Sequence, residues 1–277
     1  MQIKATVLCE NSVFHVPGAI AEHGLSIFLE TSWGNYLFDT GQGIGIINNS
    51  LVLQKDLSTI KGIILSHKHY DHTGGLLSVL QLKSETNVYI HPAIFEESYN
   101  IGENTCRYVG VPHNPLLLKS KGARFISNKK WSELAPKMYL TGEIPRVYDF
   151  EVGDSGLMIK DGDNFIPDKV LDDQSLVFHT SKGLFIVLGC AHAGIINILD
   201  YAVKKTGCDK IWMVIGGTHL GPVSTEQREA TFKMLKEFDI KNIGVSHCTG
   251  FAAALTLRQE FGERFFFCNV GTVIEVE

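Results

Sequence analysis

Ser66-His67-Lys68-His69-Tyr70-Asp71-His72-Thr73-Gly74-Gly75 is the stretch on which the reading of this chain turns. Its imidazoles at 67, 69 and 72 and its carboxylate at 71 fall within one short segment. Near neutral pH such a cluster offers lone pairs of nitrogen and oxygen, the donor mixture that holds zinc, manganese or iron. In a tight turn between a strand and a helix, His67 and His69 can converge on one ion. Asp71 and His72, one step further round, can face a second. Gly74-Gly75 is expected to let the backbone bend, so that the next helix starts close to the ions. The bland alternative is a hydrated polar loop with incidental histidines, and the density of donors argues against it.

Just upstream, Gly62–Leu65 reads as a short buried strand that delivers His67 to the turn. The same arrangement recurs downstream. Ile186-Val187-Leu188-Gly189-Cys190-Ala191 leads to His192, Met213-Val214-Ile215-Gly216-Gly217-Thr218 to His219, and Ile243-Gly244-Val245-Ser246 to His247. A histidine just past the C-terminal end of an apolar strand lies where α/β sheets commonly place ligands. Ile60–His67 also lines up with Ile240–His247, a match that suggests two related halves.

Around these motifs the chain alternates strand and helix patterns. Strands are predicted over Lys4–Cys9, Leu25–Glu30, Asn35–Phe38, Ser175–Thr180, Leu184–Leu188, Ile211–Ile215 and Asn242–Val245. Helices are predicted over Ile46–Gln54, Gly194–Lys205, Thr225–Phe238 and Phe251–Glu260. Such alternation points to an α/β layered protein, and no linker rich in Pro, Gly or Ser divides it. One domain spanning 1–277 is therefore expected. The stretch of about 100–169 holds five of the eight prolines and has weak periodicity, so it reads as an irregular insertion or active-site cover with short strands.

Composition narrows the class. With 44% hydrophobic and 20% charged residues, the 277-residue chain is an ordinary globular sequence. A net charge of −5 argues against nucleic acid as a partner, since general nucleic-acid binders carry a basic excess. No apolar run approaches the roughly 18 residues of a membrane span. The N-terminal residues lack the pattern of an export signal. The six cysteines contain no CxxC pair and read as reduced thiols. A cytoplasmic protein with no membrane partner is the expectation. The basic segment Lys119–Lys130 reads as a solvated cationic face or as a patch that steers anions.

The His67–Gly75 segment contains HxHxDHxGG and thereby resembles the metallo-β-lactamase superfamily. Leu37-Phe38-Asp39-Thr40-Gly41 resembles the early strand of that family, which ends in Asp-x-Gly. The resemblance covers nearly the whole chain and implies a four-layer αββα sandwich of two pseudo-symmetric halves. Carried over residue by residue, it assigns His67 and His69 to a first metal, and Asp71, His72 and His247 to a second. Family members usually supply a histidine before the strand Ser175–Thr180, and Pro167–Gln174 contains none. They usually carry Gly-Asp after the next strand, where this chain has Gly189-Cys190-Ala191-His192. His192 is accordingly expected to replace the missing imidazole. Cys190 stands at the place of the bridging carboxylate, as a metal bridge, a substrate contact or a small buried hydrophobe.

Glu22-His23-Gly24-Leu25-Ser26, Gly142-Glu143-Ile144-Pro145-Arg146, Gly217-Thr218-His219-Leu220 and Ser246-His247-Cys248-Thr249-Gly250 narrow the resemblance further. They are similar to the branch that takes its name from a dihydropterin–ribofuranosylaminobenzene-phosphate synthase of methanopterin biosynthesis. The resemblance implies an enzyme with two divalent ions, zinc first and manganese, iron or magnesium as alternatives. It would act on an anionic small molecule of phosphorylated or pterin type. The ions would either activate water, as in a hydrolase, or stabilise a departing pyrophosphate, as in a transferase. A generic phosphoesterase and a non-catalytic metal-binding sensory module are the rival functions. Asp71 and His219 are the candidate catalytic groups. His23 and His219 can move protons or hold a phosphate, or else cap loops. Arg146 is a candidate phosphate clamp, because guanidinium pairs bidentately with such groups.

Overall fold

A computed structural model of the chain describes residues 2–276. It falls into two compact units. The first takes the residues up to Lys129, then Ser155–Asp168 and the residues from Asn269. The second takes Lys130–Asp154 and Lys169–Cys268. The proline-rich stretch 100–169 contributes to each.

Among the described residues, the first unit is built on a seven-stranded sheet. Its spatial order is Val273–Val276, Ile3–Cys9, Ser26–Thr31, Gly34–Phe38, Ile60–Ile64, Thr86–Ile90, Ala123–Ser127. Pairing is antiparallel as far as Gly34–Phe38 and parallel beyond it. Parallel strands are covered on both faces and so read as continuous apolar runs. Ile60-Lys-Gly-Ile-Ile fits that rule, with only Lys61 exposed. Leu37, Ile63 and Val88 pack with Ile46 of the helix Ile46–Val52 and with Val79 and Leu80 of the helix Leu76–Leu82. A separate antiparallel sheet runs Asn164–Pro167, Leu157–Asp161, Ser98–Gly102, Thr105–Tyr108. Its outer strands Thr105–Tyr108 and Asn164–Pro167 are exposed throughout. With no face buried, they carry no alternation for a sequence reading to find.

The second unit is built on an eight-stranded sheet in the order Phe265–Phe267, Ile243–Ser246, Lys210–Gly217, Gly183–Leu188, Leu176–Thr180, Met138–Leu140, Ser132–Ala135. The short strand Asp239–Ile240 pairs beside Lys210–Gly217. The strands from Phe265–Phe267 to Gly183–Leu188 are parallel, and the rest are antiparallel. Gly183–Leu188 is buried along its whole length. Against the sheet pack Ile195, Ile198, Leu199 and Ala202 of the helix Ile195–Thr206, Phe232 and Leu235 of Thr225–Leu235, and Ala254 and Leu257 of Phe251–Phe261.

The two sheets share a plan, in which a parallel run of four strands continues into antiparallel ones. The matched octapeptides occupy different places in that plan. Ile60–Ile64 is the second parallel strand of its sheet counted from the antiparallel side, and Ile243–Ser246 is the third. Their likeness therefore reflects similar strand-to-loop chemistry at non-equivalent positions. Among the described residues, no helix is long and apolar enough to cross a membrane.

Candidate metal centre

In the first unit, Asp39 organises the histidine segment. It follows the strand Gly34–Phe38 in a left-handed conformation, φ 56°, and is completely buried. Its Oδ1 accepts the Ser66 backbone N–H at 2.7 Å, and its Oδ2 accepts the Ser66 hydroxyl at 2.7 Å. The same Oδ2 lies 2.7 Å from His72 Nδ1. A carboxylate only accepts, so His72 carries its proton on Nδ1 and its lone pair on Nε2. Ser66 has spent its one proton on Asp39, so its Oγ accepts from His67 Nδ1 at 2.8 Å. His67 thus also presents Nε2 as a lone pair. That Nε2 lies 3.0 Å from His69 Nδ1. Burial lowers the His69 pKa to about 4, which leaves the ring neutral. Asp71 faces His23, with Oδ2 3.2 Å from Nε2, and its Oδ2 is 3.9 Å from His72 Nε2. His23 itself is exposed, with Asn11 at its other nitrogen.

Lys68, between two of these histidines, is fully buried. Its Nζ meets Asp168 at 3.3 Å and Glu96 at 3.2 Å, and Asp168 also accepts from Ser98 Oγ at 2.7 Å. Asp168 follows the strand Asn164–Pro167, so this pair ties the histidine loop to the exposed four-stranded sheet. Glu22, from the Glu22-His23-Gly24 motif, accepts the backbone N–H groups of Gln42, Gly43, Ile44 and Gly45. Gly74 and Gly75 have ordinary helical φ values of −65° and −78°. They do not supply the bend expected of them. A Cβ at Gly74 would lie 2.2 Å from the Gln42 carbonyl, and one at Gly75 would lie 2.2 Å from that of Thr40. Close approach of the Thr40–Gln42 backbone is what demands glycine there.

In the second unit, the ends of three parallel strands bring Cys190, His192, His219, His247 and Cys248 together. The donor atoms of Cys190, His192 and His219 lie within 4.8 Å of one another, and so do those of Cys190, His247 and Cys248. Ala191 (φ 61°), His219 (φ 52°) and His247 (φ 51°) all adopt left-handed backbones. Non-glycine residues adopt that conformation only where the surroundings enforce it, commonly at functional sites. The turns are tied together by Gly217 N–H to the Gly189 carbonyl at 3.0 Å, and by Thr218 to Thr249 Oγ1 at 3.0 Å. Asp154 accepts from His219 Nε2 at 2.6 Å and lies 3.7 Å from His192 Nδ1. Burial disfavours charge on His219, but hydrogen bonds to Asp154 and Cys248 outweigh it and raise its pKa to about 10. For the Cys248 thiol burial acts upward, while hydrogen bonding to Cys190 and His219 holds it well below the usual range. Arg146 is exposed at the surface and donates to the carbonyls of His192, at 2.9 Å, and Lys169. Buried Asp173 accepts the Ala193 N–H at 2.8 Å.

Both donor sets fit divalent cations. In metal-binding imidazoles the other ring nitrogen is held by a carboxylate or hydroxyl, as Asp39 holds that of His72 and Ser66 that of His67. Asp39 was legible as part of a family-like strand end, but its hold on His72 was not. Asp154 and Asp168 had no signal beyond their residue type, since their partners are remote in sequence, and Cys248 was read only as part of the Ser246–Gly250 motif.

The sequence pattern of the metallo-beta-lactamase superfamily matches residues 20–247. This chain belongs to the metallo-β-lactamase superfamily. It is 32% identical over 284 residues to the 7,8-dihydropterin-6-methyl-4-(beta-D-ribofuranosyl)-aminobenzene-5'-phosphate synthase of Methanocaldococcus jannaschii, covering 99% of this chain and 96% of that one. The crystal structure of Tm1679, a metal-dependent hydrolase of the beta-lactamase superfamily, is similar with a TM-score of 0.86 and 29% identity, and the match covers 99% of each chain. The metallo-beta-lactamase fold protein YhfI from Bacillus subtilis shares the fold at a TM-score of 0.60 and 12% identity, across 100% of both chains. The α/β sandwich class implied by HxHxDHxGG is thus the fold of this metallo-β-lactamase-superfamily chain.

Proposed function

We propose that this chain is a metal-dependent enzyme that joins a dihydropterin methyl diphosphate to a ribofuranosylaminobenzene phosphate and releases pyrophosphate. The observation that carries this reading is the 32% identity to the methanogen synthase over 99% of the chain. The buried histidines ordered by Asp39 supply donors of the kind it needs. Following the superfamily resemblance, His67, His69, Asp71, His72, His192 and His247 are the proposed ligands of two divalent ions, zinc first.

When bound, the ions would neutralise charge on the diphosphate and on the pyrophosphate as it leaves. The chain's own groups would do the rest. Asp39 and Ser66 fix the tautomers of His72 and His67, so that no ring must reorient. His219, whose Nε2 proton Asp154 accepts, would bring positive charge to the neighbourhood of the anion. His23, exposed beside Asp71, is the group placed to relay a proton to solvent. Arg146 braces the His192 loop through its two carbonyl contacts and has further N–H donors for an anion. In the reaction the arylamine nitrogen forms a bond to the methylene carbon, the carbon–oxygen bond to pyrophosphate breaks, and the amine proton is lost.

A metal-dependent hydrolase is the second reading, favoured by the likeness to Tm1679, with phosphoesters as the substrate class we propose for it. The test is pyrophosphate release by the metal-loaded protein with the pterin diphosphate, with and without the arylamine. Release that requires the arylamine, with the coupled product detected by mass, is expected. Equal release without it would replace the synthase by a hydrolase. No turnover of either kind, with metal bound, would leave a non-catalytic metal-binding module.

A further inference from the structure

The second unit contains more sulfur than the proposed ligand set uses. Cys190 and Cys248 flank His247, and the three donor atoms lie within 4.8 Å of one another. Cys190 and His247 are buried, at 3% and 7% exposure. Cys248 Sγ sits 3.4 Å from the Cys190 carbonyl. Its position is built into the backbone. A Cβ at Gly217 would fall 2.6 Å from Cys248 Sγ and 2.6 Å from the Gly189 carbonyl, so glycine at 217 opens the slot that the sulfur occupies. His247 sits in a left-handed conformation, and a 3-10 turn over His247–Thr249 carries both His247 and Cys248.

We infer that Cys190 Sγ, His247 and Cys248 Sγ form a thiolate–imidazole site for one thiophilic divalent cation, zinc or cobalt in class. Two sulfurs and one imidazole are a soft donor set, which selects such ions over magnesium or calcium. The separations suit it. Ligands about 2.0–2.3 Å from a tetrahedral ion stand roughly 3.5–3.8 Å apart, so donors gathered within 4.8 Å need only a small closure. The neighbouring grouping of Cys190 with His192 and His219 offers one sulfur to two imidazoles and is the less thiophilic set. Both sulfurs bind as thiolates, and any thiol proton present is displaced to solvent on binding. The site deepens the proposed function by naming the coordination around His247. It shares only that residue with the six ligands proposed above, and it can fail while they stand.

The test uses the full chain loaded with cobalt(II), with bound metal counted independently. Thiolate ligation produces a sulfur-to-cobalt charge-transfer absorption in the near ultraviolet. That band is expected in the wild type, weaker by about twofold in Cys190→Ser and in Cys248→Ser, and absent in the double variant. A second measurement needs no variant. Loading with zinc should protect Cys190 and Cys248 from alkylation, read by peptide mass, while exposed Cys106 reacts regardless. Cobalt bound without the band, or Cys248 alkylated as fast with zinc as without, overturns the thiolate site and leaves the other ligands intact. A folded protein that binds no cobalt overturns this site and the proposed metal centre together.

Discussion

Asp39 shows what one buried carboxylate can decide. It holds Ser66 by both backbone and hydroxyl and holds His72 by Nδ1, and through Ser66 it sets the tautomer of His67. Outer partners of this kind orient metal-binding rings and raise their basicity, and their loss typically weakens metal affinity about 10–100-fold. Asn is tolerated in the left-handed conformation that Asp39 adopts. Asp39→Asn should therefore fold, yet lose roughly that much zinc affinity in a titration against a chromophoric chelator. Affinity equal to that of the wild type would show that the ring orientations are set elsewhere. The same residue marks how far reading went. Phe38-Asp39-Thr40-Gly41 was recognisable as a strand end, whereas which nitrogen Asp39 faces depends on a contact spanning 33 positions.

Among elements, the long helices and central strands were legible and the peripheral ones were not. The helix predicted over Gly194–Lys205 spans Ile195–Thr206, and Gly207 ends it in a left-handed turn. The helix expected to reach Phe238 stops at Leu235, because the chain must turn to pair Asp239–Ile240 beside Lys210–Gly217. The strands of the four-stranded sheet were expected only as short strands without bounds, because that sheet is largely solvated. Its tie to the histidine loop is the Lys68–Asp168 pair, both side chains 0% exposed. Removing one partner of a buried pair strands the other charge, at a cost of about 3–5 kcal/mol, whereas replacing both by apolar residues is often neutral. Lys68→Met should thus destabilise the protein by about that amount in urea unfolding, and Lys68→Met with Asp168→Leu should recover most of it. A double variant no more stable than the single one would show that Asp168 serves Ser98 rather than Lys68.

At the scale of the whole molecule, pH acts on stability through buried carboxyls. Glu151 accepts the Ile196 and Asn197 N–H groups at 2.8 Å, at the start of the helix Ile195–Thr206. Burial outweighs those bonds and raises its pKa from 4.5 to about 7. Between these values the folded chain holds a proton that the unfolded chain has released, so the contribution of this group to stability falls as pH rises through that window. Denaturant midpoints at pH 5 and pH 8 should drop less in Glu151→Gln than in the wild type. An equal drop would place the pH dependence on other groups, buried Asp173 first, whose pKa burial raises to about 6. The superfamily, the α/β class and the strand ends that carry histidines were legible in the order of residues alone. Those features rest on local periodicity and on one dense motif, which need no distant partner to be read. It took the folded chain to show that the glycines of the motif serve close packing, that Asp39 orders the imidazoles, that Asp154 claims His219, and that Cys248 stands beside Cys190. Each of these depends on backbones and side chains that meet only when a sheet assembles, and a low-dielectric interior then gives their few contacts their weight.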